Sequence, residues 1–292
     1  MQAKCQAGEM VETLRLAQRI IDLADGDATM GNIVVGSPLS VAQMYRGNAE
    51  LYLGMRGFRE CFEAAVATAR PVDPTCFTMV VLFKYLGIAL GVFLPDDTAL
   101  RETAEALAIA EQSCEPFAVM CALIARGIAL VHRDSPESEA GYDLLEKARA
   151  MALAHNGSLV VVPYVDIHKA VRKLHRAGAD GAIELARAVL DNMVVSGEMA
   201  WRGLATTTLV ESLLRRGTGG DIAEAEAAID RLAAVPTDPG YVMHKLPLLR
   251  MRALLAHAQG DDDAYRNYRD RYRKMATDLG FEGHLKWAEE MP

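Results

Sequence analysis

Apolar residues recur at helical spacing along almost the whole chain. In 221–233 they fall on one face of a helix with a 3.6-residue period, and the same period recurs in 97–114 and 135–152. The predicted inward-facing residues are Ile222, Ala225, Ile229 and Leu232 in the first stretch, Leu100, Ala104, Leu107 and Cys114 in the second, and Leu144, Leu145, Ala148 and Ala152 in the third. The β-branched run 160–162 precedes Pro163, so the start of that helix is left open. No strand is predicted.

Four stretches of the chain end in nearly the same way: 125–135, 170–180, 210–221 and 252–262. Each is an apolar helix that closes on basic residues and is followed by a short loop with an acidic or hydroxyl residue. Cations at a helix C-terminus and Asp or Ser at the next N-cap both suit the helix dipole. The spacing of about 40 residues is typical of a helix–turn–helix repeat.

The predicted helices are 8–25, 38–54, 57–70, 75–94, 97–114, 115–133, 136–155, 158–177, 179–195, 197–216, 221–234, 242–258, 262–279 and 281–291. Ser135 is expected to cap the helix 136–155, with Pro136 as its first residue. The sequence therefore predicts an all-α fold, an α-solenoid of about 13–14 helices stacked as antiparallel pairs in a right-handed superhelix. One domain is predicted over 1–292: a helix and loop in 1–37, about six pairs in 38–279, and a capping helix in 280–292.

Composition indicates the kind of core, and net charge indicates which partners are disfavoured. Hydrophobic residues make up 51% of the chain and aromatic residues only 6%, which is typical of a helical core of Ala, Leu, Val and Met. The net charge of −8 argues against binding to nucleic acid, because the surface repels phosphate backbones. The five cysteines, with no C-x-x-C pair among them, predict reduced thiols in a cytoplasmic protein. They are Cys5, Cys61, Cys76, Cys114 and Cys121.

The segment 76–94 is apolar except for Lys84 and is just long enough to cross a membrane. A lysine at the bilayer centre costs roughly 2.5–3.5 kcal/mol, and neither flank carries a basic cluster. We therefore predict a buried helix here, with an exposed partner surface as the alternative. The first residues of the chain lack the apolar stretch of a signal peptide. The expected location is the cytoplasm, with no membrane contact.

The stretch 43–74 resembles a tetratricopeptide unit. Its first helix runs into Gly54, the turn contains Gly57, and the small residues Cys61 and Ala65 lie where the second helix packs closely. The aromatic residue early in the consensus is missing. The resemblance implies a tetratricopeptide-like repeat, a fold used for protein binding.

The stretch 249–292 resembles the C-terminal end of large bacterial signalling proteins of the adenylate/guanylate cyclase group. In that group a nucleotide cyclase domain and a P-loop ATPase domain precede a helical repeat region. Similar repeats occur in ATPase-type transcriptional regulators, which usually end in a helix-turn-helix. This sequence ends at Pro292 without one, which favours the cyclase-type arrangement. The resemblance implies a role in signal transduction and transfers no catalytic residue.

Motifs for catalysis or metal binding are not found. The loop 215–221 lacks the lysine and the spacing of a phosphate loop, and no G-x-S-x-G occurs. The acidic runs 96–97 and 261–263 lack the D-D-x-x-D pattern of helical isoprenoid cyclases and are interpreted as N-caps. His168 and His175 are seven residues apart, too far for a zinc pair at i, i+4. No cofactor, metal or catalytic residue is predicted, and an all-helical enzyme with an unrecognised site is the weakest alternative.

Tyrosines in 265–272 are interleaved with arginines, a pattern found in single-strand nucleic-acid binders. At helical spacing they are expected instead to pack on the preceding helix, with the arginines solvated and paired to nearby aspartates.

The first helix of each solenoid pair lines the concave side, so polar or aromatic residues in the middle of these helices are the candidate ligand contacts. They are Tyr45, Asn48, Lys84, Tyr85, Arg126, Asp166, Lys169, Trp201, Arg202, Lys245 and Arg250. Lys84 is the sharpest candidate, because a lysine kept in an apolar helix points at a cavity, a carboxylate or a groove.

Three functions are compatible with these observations. The first is a non-catalytic sensor or scaffold segment that binds a protein, peptide or small ligand and biases a neighbouring cyclase or ATPase domain. The second is a self-associating module that dimerises through 76–94 and the terminal helices. The third is the helical enzyme.

Overall fold

The structure is a computed structural model and describes residues 1–32, 36–133, 135–155 and 160–292. These residues form 15 helices and no strand, which confirms the all-α prediction. The helices are α1 (Gln2–Gln6), α2 (Met10–Ala24), α3 (Pro38–Tyr52), α4 (Phe58–Ala69), α5 (Pro74–Ala89), α6 (Asp97–Ser113), α7 (Pro116–Val131), α8 (Ser138–His155), α9 (Val161–Arg176), α10 (Ala179–Ser196), α11 (Arg202–Arg216), α12 (Asp221–Ala233), α13 (Val242–Gln259), α14 (Asp262–Leu279) and α15 (Glu282–Glu289).

The chain divides into two compact units. The first consists of Met1–Cys5 and Glu9–Leu159, and the second of Gln6–Gly8 and Val160–Pro292. The single domain predicted over 1–292 stays a prediction.

In the first unit the helices pack as consecutive pairs, α3 with α4, α5 with α6 and α7 with α8. The first helices of neighbouring pairs also touch, since α5 packs on both α3 and α7. Helix α2 covers α3. The apolar helices α5 and α7 therefore lie at the centre of this unit and are buried almost all round.

The second unit repeats the arrangement with α9 and α10, α11 and α12, and α13 and α14. Helix α11 packs on both α9 and α13, and α15 packs on α14. The apolar face predicted for 221–233 is confirmed, because Ala225, Ile229 and Leu232 are buried beside Leu209 and Leu213 of α11.

Side-chain caps set the starts of α3, α5, α6 and α14. Asp96 caps α6 by accepting the Ala99 N–H at 2.7 Å, and Asp261 caps α14 by accepting the Ala264 N–H at 2.9 Å. These two aspartates are N-caps, as the sequence predicted. Since both side chains are bound to backbone, the acidic runs need no metal to explain them.

Several predicted helix bounds are wrong. Helix α2 begins at Met10 rather than at 8, and α5 ends at Ala89 rather than at 94. Helix α8 begins at Ser138, because Ser135 Oγ accepts the Glu137 N–H at 3.2 Å and forms a separate turn before the helix. Helix α11 begins at Arg202 rather than at 197. There the Glu198 carboxylate accepts the N–H of Ala200 at 2.7 Å, which holds a turn ahead of the helix. The short helix α1 was not predicted.

The inward face predicted for 97–114 is also wrong in part. Ala104 and Cys114 are exposed, and Leu100 and Leu107 are only partly buried. The buried face of α6 consists instead of Ala99, Thr103, Ala106 and Ala110. Small residues on this face let α6 approach the alanines of α7 closely, which compensates for the smaller area each side chain buries.

The apolar segment 76–94 forms most of α5, whose side chains pack within the first unit. Among the described residues, we find no helix that combines the length and the apolar character required to cross a bilayer.

Candidate functional site

The candidate contacts in the first unit lie mostly in its interior. Tyr45 is buried with its ring edge-on to a phenylalanine of α5. Asn48 is buried and its Nδ2 lies 3.6 Å from the sulfur of Cys5. The half-buried guanidinium of Arg126 donates to the carbonyl of Leu100 at 2.8 Å. These three side chains are turned toward other helices rather than toward a common ligand.

Lys84 and Tyr85 do meet, around one carboxylate. Lys84 Nζ lies 2.7 Å from Glu102 Oε2, and the Tyr85 hydroxyl donates to the same oxygen at 2.6 Å. Lys84 also contacts Glu63 at 2.8 Å, and Arg70 approaches the other oxygen of Glu102 at 3.6 Å. The lysine thus points at carboxylates, one of the three surroundings expected for it. Because its charge is already balanced, this cluster ties α4, α5 and α6 together.

In the second unit, Asp166 is buried and Lys169 half-buried on α9. Trp201 packs on the ring of Tyr164, with 4.7 Å between centroids. Lys245 is exposed on α13. The ring contact with Tyr164 joins Trp201 to α9.

Arg250 and Arg202 are fixed by neighbouring helices. Arg250 forms an ion pair with Glu211 of α11, and its guanidinium lies 5.5 Å from the indole centroid of Trp287. Arg202 donates from Nη2 to the Met193 carbonyl at 3.0 Å and so binds the C-terminal end of α10. Arg202 also lines a cavity.

That cavity is a groove of about 320 Å³ between α10 and α12, over α11. The volume lies in the range of small-ligand sites. Leucines and an alanine from all three helices form its floor, and charged side chains form its rim. The lining residues are Arg187, Leu190, Asp191 and Val194 of α10, Arg202, Thr206 and Leu209 of α11, Glu224, Ala228, Arg231 and Leu232 of α12, and the following Val235.

One end of the groove is closed by an ion pair. Arg187 of α10 donates from Nε and Nη2 to the two carboxylate oxygens of Glu224 on α12, at 2.6 and 2.5 Å. This bidentate geometry fixes the spacing of the two helices. The Arg187 guanidinium holds the pKa of Glu224 below its usual value, so the pair is charged at neutral pH.

A second arginine outside the groove organises the same three helices. Arg216, at the end of α11, contacts Asp221 of α12 at 2.6 Å and Asp180 of α10 at 2.8 Å. Its hydrogen bonds hold the pKa of Asp221 well below the usual range. The basic residue before a loop and the acidic residue after it, seen in the sequence repeats, are here bonded to each other.

The other end of the groove, at the end of α10, combines exposed valines with the guanidinium of Arg202. Val194 is 62% exposed, and the neighbouring Val195, at the end of α10, is 88% exposed. Large aliphatic side chains at that exposure extend the apolar surface beyond the cavity.

The site was not predicted, because the candidate ligand contacts were expected on the first helix of each pair. The groove lies between two second helices, α10 and α12, and most of its lining comes from them. The sequence did contain one signal of an exposed apolar surface. Val194 and Val195 are adjacent at a helix end, and two adjacent residues do not both lie on one narrow buried stripe.

The five cysteines differ in exposure: Cys114 is exposed, Cys61 is partly buried and the other three are buried. Burial raises the pKa of the Cys61 and Cys121 thiols to about 12, so both are protonated near neutral pH. No group of three or more His, Cys, Asp or Glu side chains in 1–32, 36–133, 135–155 and 160–292 is arranged to hold a metal ion. In the groove, the arginines can form ionic contacts with a ligand and the aliphatic floor can form apolar contacts.

Comparison of this chain with protein-family models, with curated proteins and with solved structures found no match.

Proposed function

We propose that this chain is a non-catalytic, tetratricopeptide-like helical-repeat module that binds a segment of a protein partner in the groove between α10 and α12. The observation that carries the proposal is the groove itself, an apolar floor of about 320 Å³ with a rim of fixed charges. Binding sites combine these features because apolar contact supplies free energy and a few polar groups supply orientation.

The solenoid part of the proposal rests on how the helices pack in each unit. Antiparallel pairs follow one another, and the first helices of neighbouring pairs are in contact. In such stacks each repeat contacts only its neighbours, so a ligand that bridges two pairs stiffens them. The groove spans α10 and α12 of consecutive pairs, which makes it a place where binding changes the flexibility of the second unit. Within a larger cytoplasmic signalling protein, such a change in flexibility would shift a neighbouring cyclase or ATPase domain between its active and inactive states.

Self-association through 76–94 has less support. That proposal needs an exposed apolar surface, and α5 buries nearly all of its side chains inside the first unit.

Selection from a phage-displayed random-peptide library on the purified chain tests the proposal. Selected peptides are expected to bind the wild type and Leu23→Asp alike, and to bind Val194→Asp at least about tenfold more weakly. Leu23 is a matched control, since it is an aliphatic residue on α2 that is 65% exposed. The proposal is wrong if the selection retains no peptide, or if every selected peptide tolerates Val194→Asp.

A further inference from the structure

The charged side chains on the rim of the groove differ in whether a neighbouring side chain neutralises them. Arg187 is neutralised by Glu224 in the bidentate pair. Arg231 is exposed near the end of α12, and no carboxylate of the described residues forms an ion pair with it. Asp191 is exposed on α10 and likewise forms no ion pair with a described residue.

Arg202 is the more unusual cation. It is half-buried at the start of α11, and its Nε and Nη2 donate to the carbonyls of Glu198 and Met193 at 2.5 and 3.0 Å. Carbonyl oxygens orient a guanidinium but carry no net charge to neutralise it. In the described part of the chain no carboxylate forms an ion pair with Arg202. The Glu198 carboxylate acts on Arg202 electrostatically, but its oxygens accept the backbone N–H groups of residues 200 and 201 rather than the guanidinium. A partly desolvated cation that no carboxylate contacts directly is a position where an incoming anion gains free energy.

The apolar surface sets the size of the ligand. It begins at Leu190 and Leu232 inside the groove and continues over Val194 to Val195, which does not line the cavity. A single small molecule that fills the cavity leaves this extension uncovered. A peptide covers both, with one side chain in the cavity and another on the exposed valines.

We infer that the groove binds a peptide segment in which an acidic side chain is flanked by aliphatic residues, with the carboxylate held by Arg202 and Arg231. The inference rests on the proposed function and adds the chemistry of the partner. The aliphatic residues pack on Leu190, Leu232 and Val194. Asp191 lies on the same rim and disfavours a second acidic residue on its side of the groove.

Fluorescence anisotropy with two labelled nonapeptides tests the inference on the full chain. One peptide has aspartate at its centre and leucines on both sides, and its twin has lysine in place of the aspartate. The aspartate peptide is expected to bind the wild type about tenfold more tightly than its twin, and more weakly as salt is raised. Arg231→Glu is expected to reverse this preference, whereas Arg215→Glu, an exposed arginine on α11 outside the groove, leaves it unchanged.

The outcomes separate this inference from the proposed function. Equal binding of the two peptides, with both weakened by Val194→Asp, overturns the charge preference and leaves the proposed function standing. If neither peptide binds, the inference is wrong, and the library selection alone decides the proposed function. Displacement of the aspartate peptide by decanoate at a concentration below the peptide's own dissociation constant identifies a small-molecule site and overturns the peptide assignment. Since Arg231 is exposed, its substitution does not disturb the core.

Discussion

Lys84 and Glu102 form an ion pair inside the first unit, with 2.7 Å between Nζ and Oε2 and with side chains that are 8% and 13% exposed. A second carboxylate, Glu63, contacts the same ammonium group at 2.8 Å, but its side chain is largely exposed. The two acidic partners are thus equal in distance and different in burial. An ion pair's contribution to stability depends strongly on that difference.

Glu102→Gln is expected to lower the free energy of unfolding of the first unit by about 2–3 kcal/mol, because a buried charge-assisted bond is lost. Glu63→Gln is expected to cost less than about 1 kcal/mol, since water screens the exposed pair. Both tryptophans lie in the second unit, so the measurement is hydrogen exchange of the α5 backbone amides. Equal losses for the two variants would contradict the argument from burial.

Gly127 and Gly141 bring α7 and α8 into close contact. A Cβ built on Gly141 would lie 2.8 Å from the Gly127 carbonyl oxygen, and this backbone cannot move aside. Gly141→Ala is therefore expected to destabilise the first unit by about 1–3 kcal/mol, although alanine favours helix. Gly181→Ala in α10 is the control, since the nearest atom there, Lys173 Nζ, lies 3.6 Å away.

Gly181→Ala is expected to raise the free energy of unfolding of the second unit by up to about 1 kcal/mol, because alanine favours helix. Thermal unfolding of both variants, followed by circular dichroism, distinguishes the two effects. If the two alanines shift the melting temperature in the same direction, close packing of α7 on α8 is not what requires glycine.

The positions of the helices could be predicted because their signals are local. An aspartate such as Asp96 caps a helix through atoms three residues away, and an apolar period is visible without any partner helix. The face of α6 was harder to predict. In an alanine-rich helix several stripes are apolar enough to be buried, and the shape of α7 decides among them.

The groove could not be predicted, because it depends on the spacing of α10 and α12, which are not consecutive helices. The Arg187–Glu224 pair that sets this spacing joins residues 37 positions apart. Arg202 was a candidate from its position in the sequence, but nothing in the sequence groups it with Arg231. The same limit applies to Lys84, whose carboxylate partners become visible only when α4, α5 and α6 are packed.

Two buried histidines and a half-buried glutamate predict how the second unit responds to acid. Burial lowers the pKa of His168 and of His244 from 6.5 to about 4, so each is neutral in the folded chain. Burial raises the pKa of Glu198 from 4.5 to about 6. Between pH 6.5 and 4 the unfolded chain binds protons on the histidines that the folded chain does not, so stability falls as pH falls. Between pH 6 and 4.5 the folded chain binds a proton on Glu198 that the unfolded chain does not, which offsets one histidine.

Urea unfolding followed by tryptophan fluorescence measures this, because both tryptophans report on the second unit. Its stability is expected to fall as pH is lowered from 7 to 4.5, since two histidines outweigh one carboxylate. His244→Gln should flatten the decrease by up to about 1.4 kcal/mol per pH unit, and Glu198→Gln should steepen it by a similar amount below pH 6. A slope that is the same in His244→Gln as in the wild type would show that this imidazole gains its proton without unfolding.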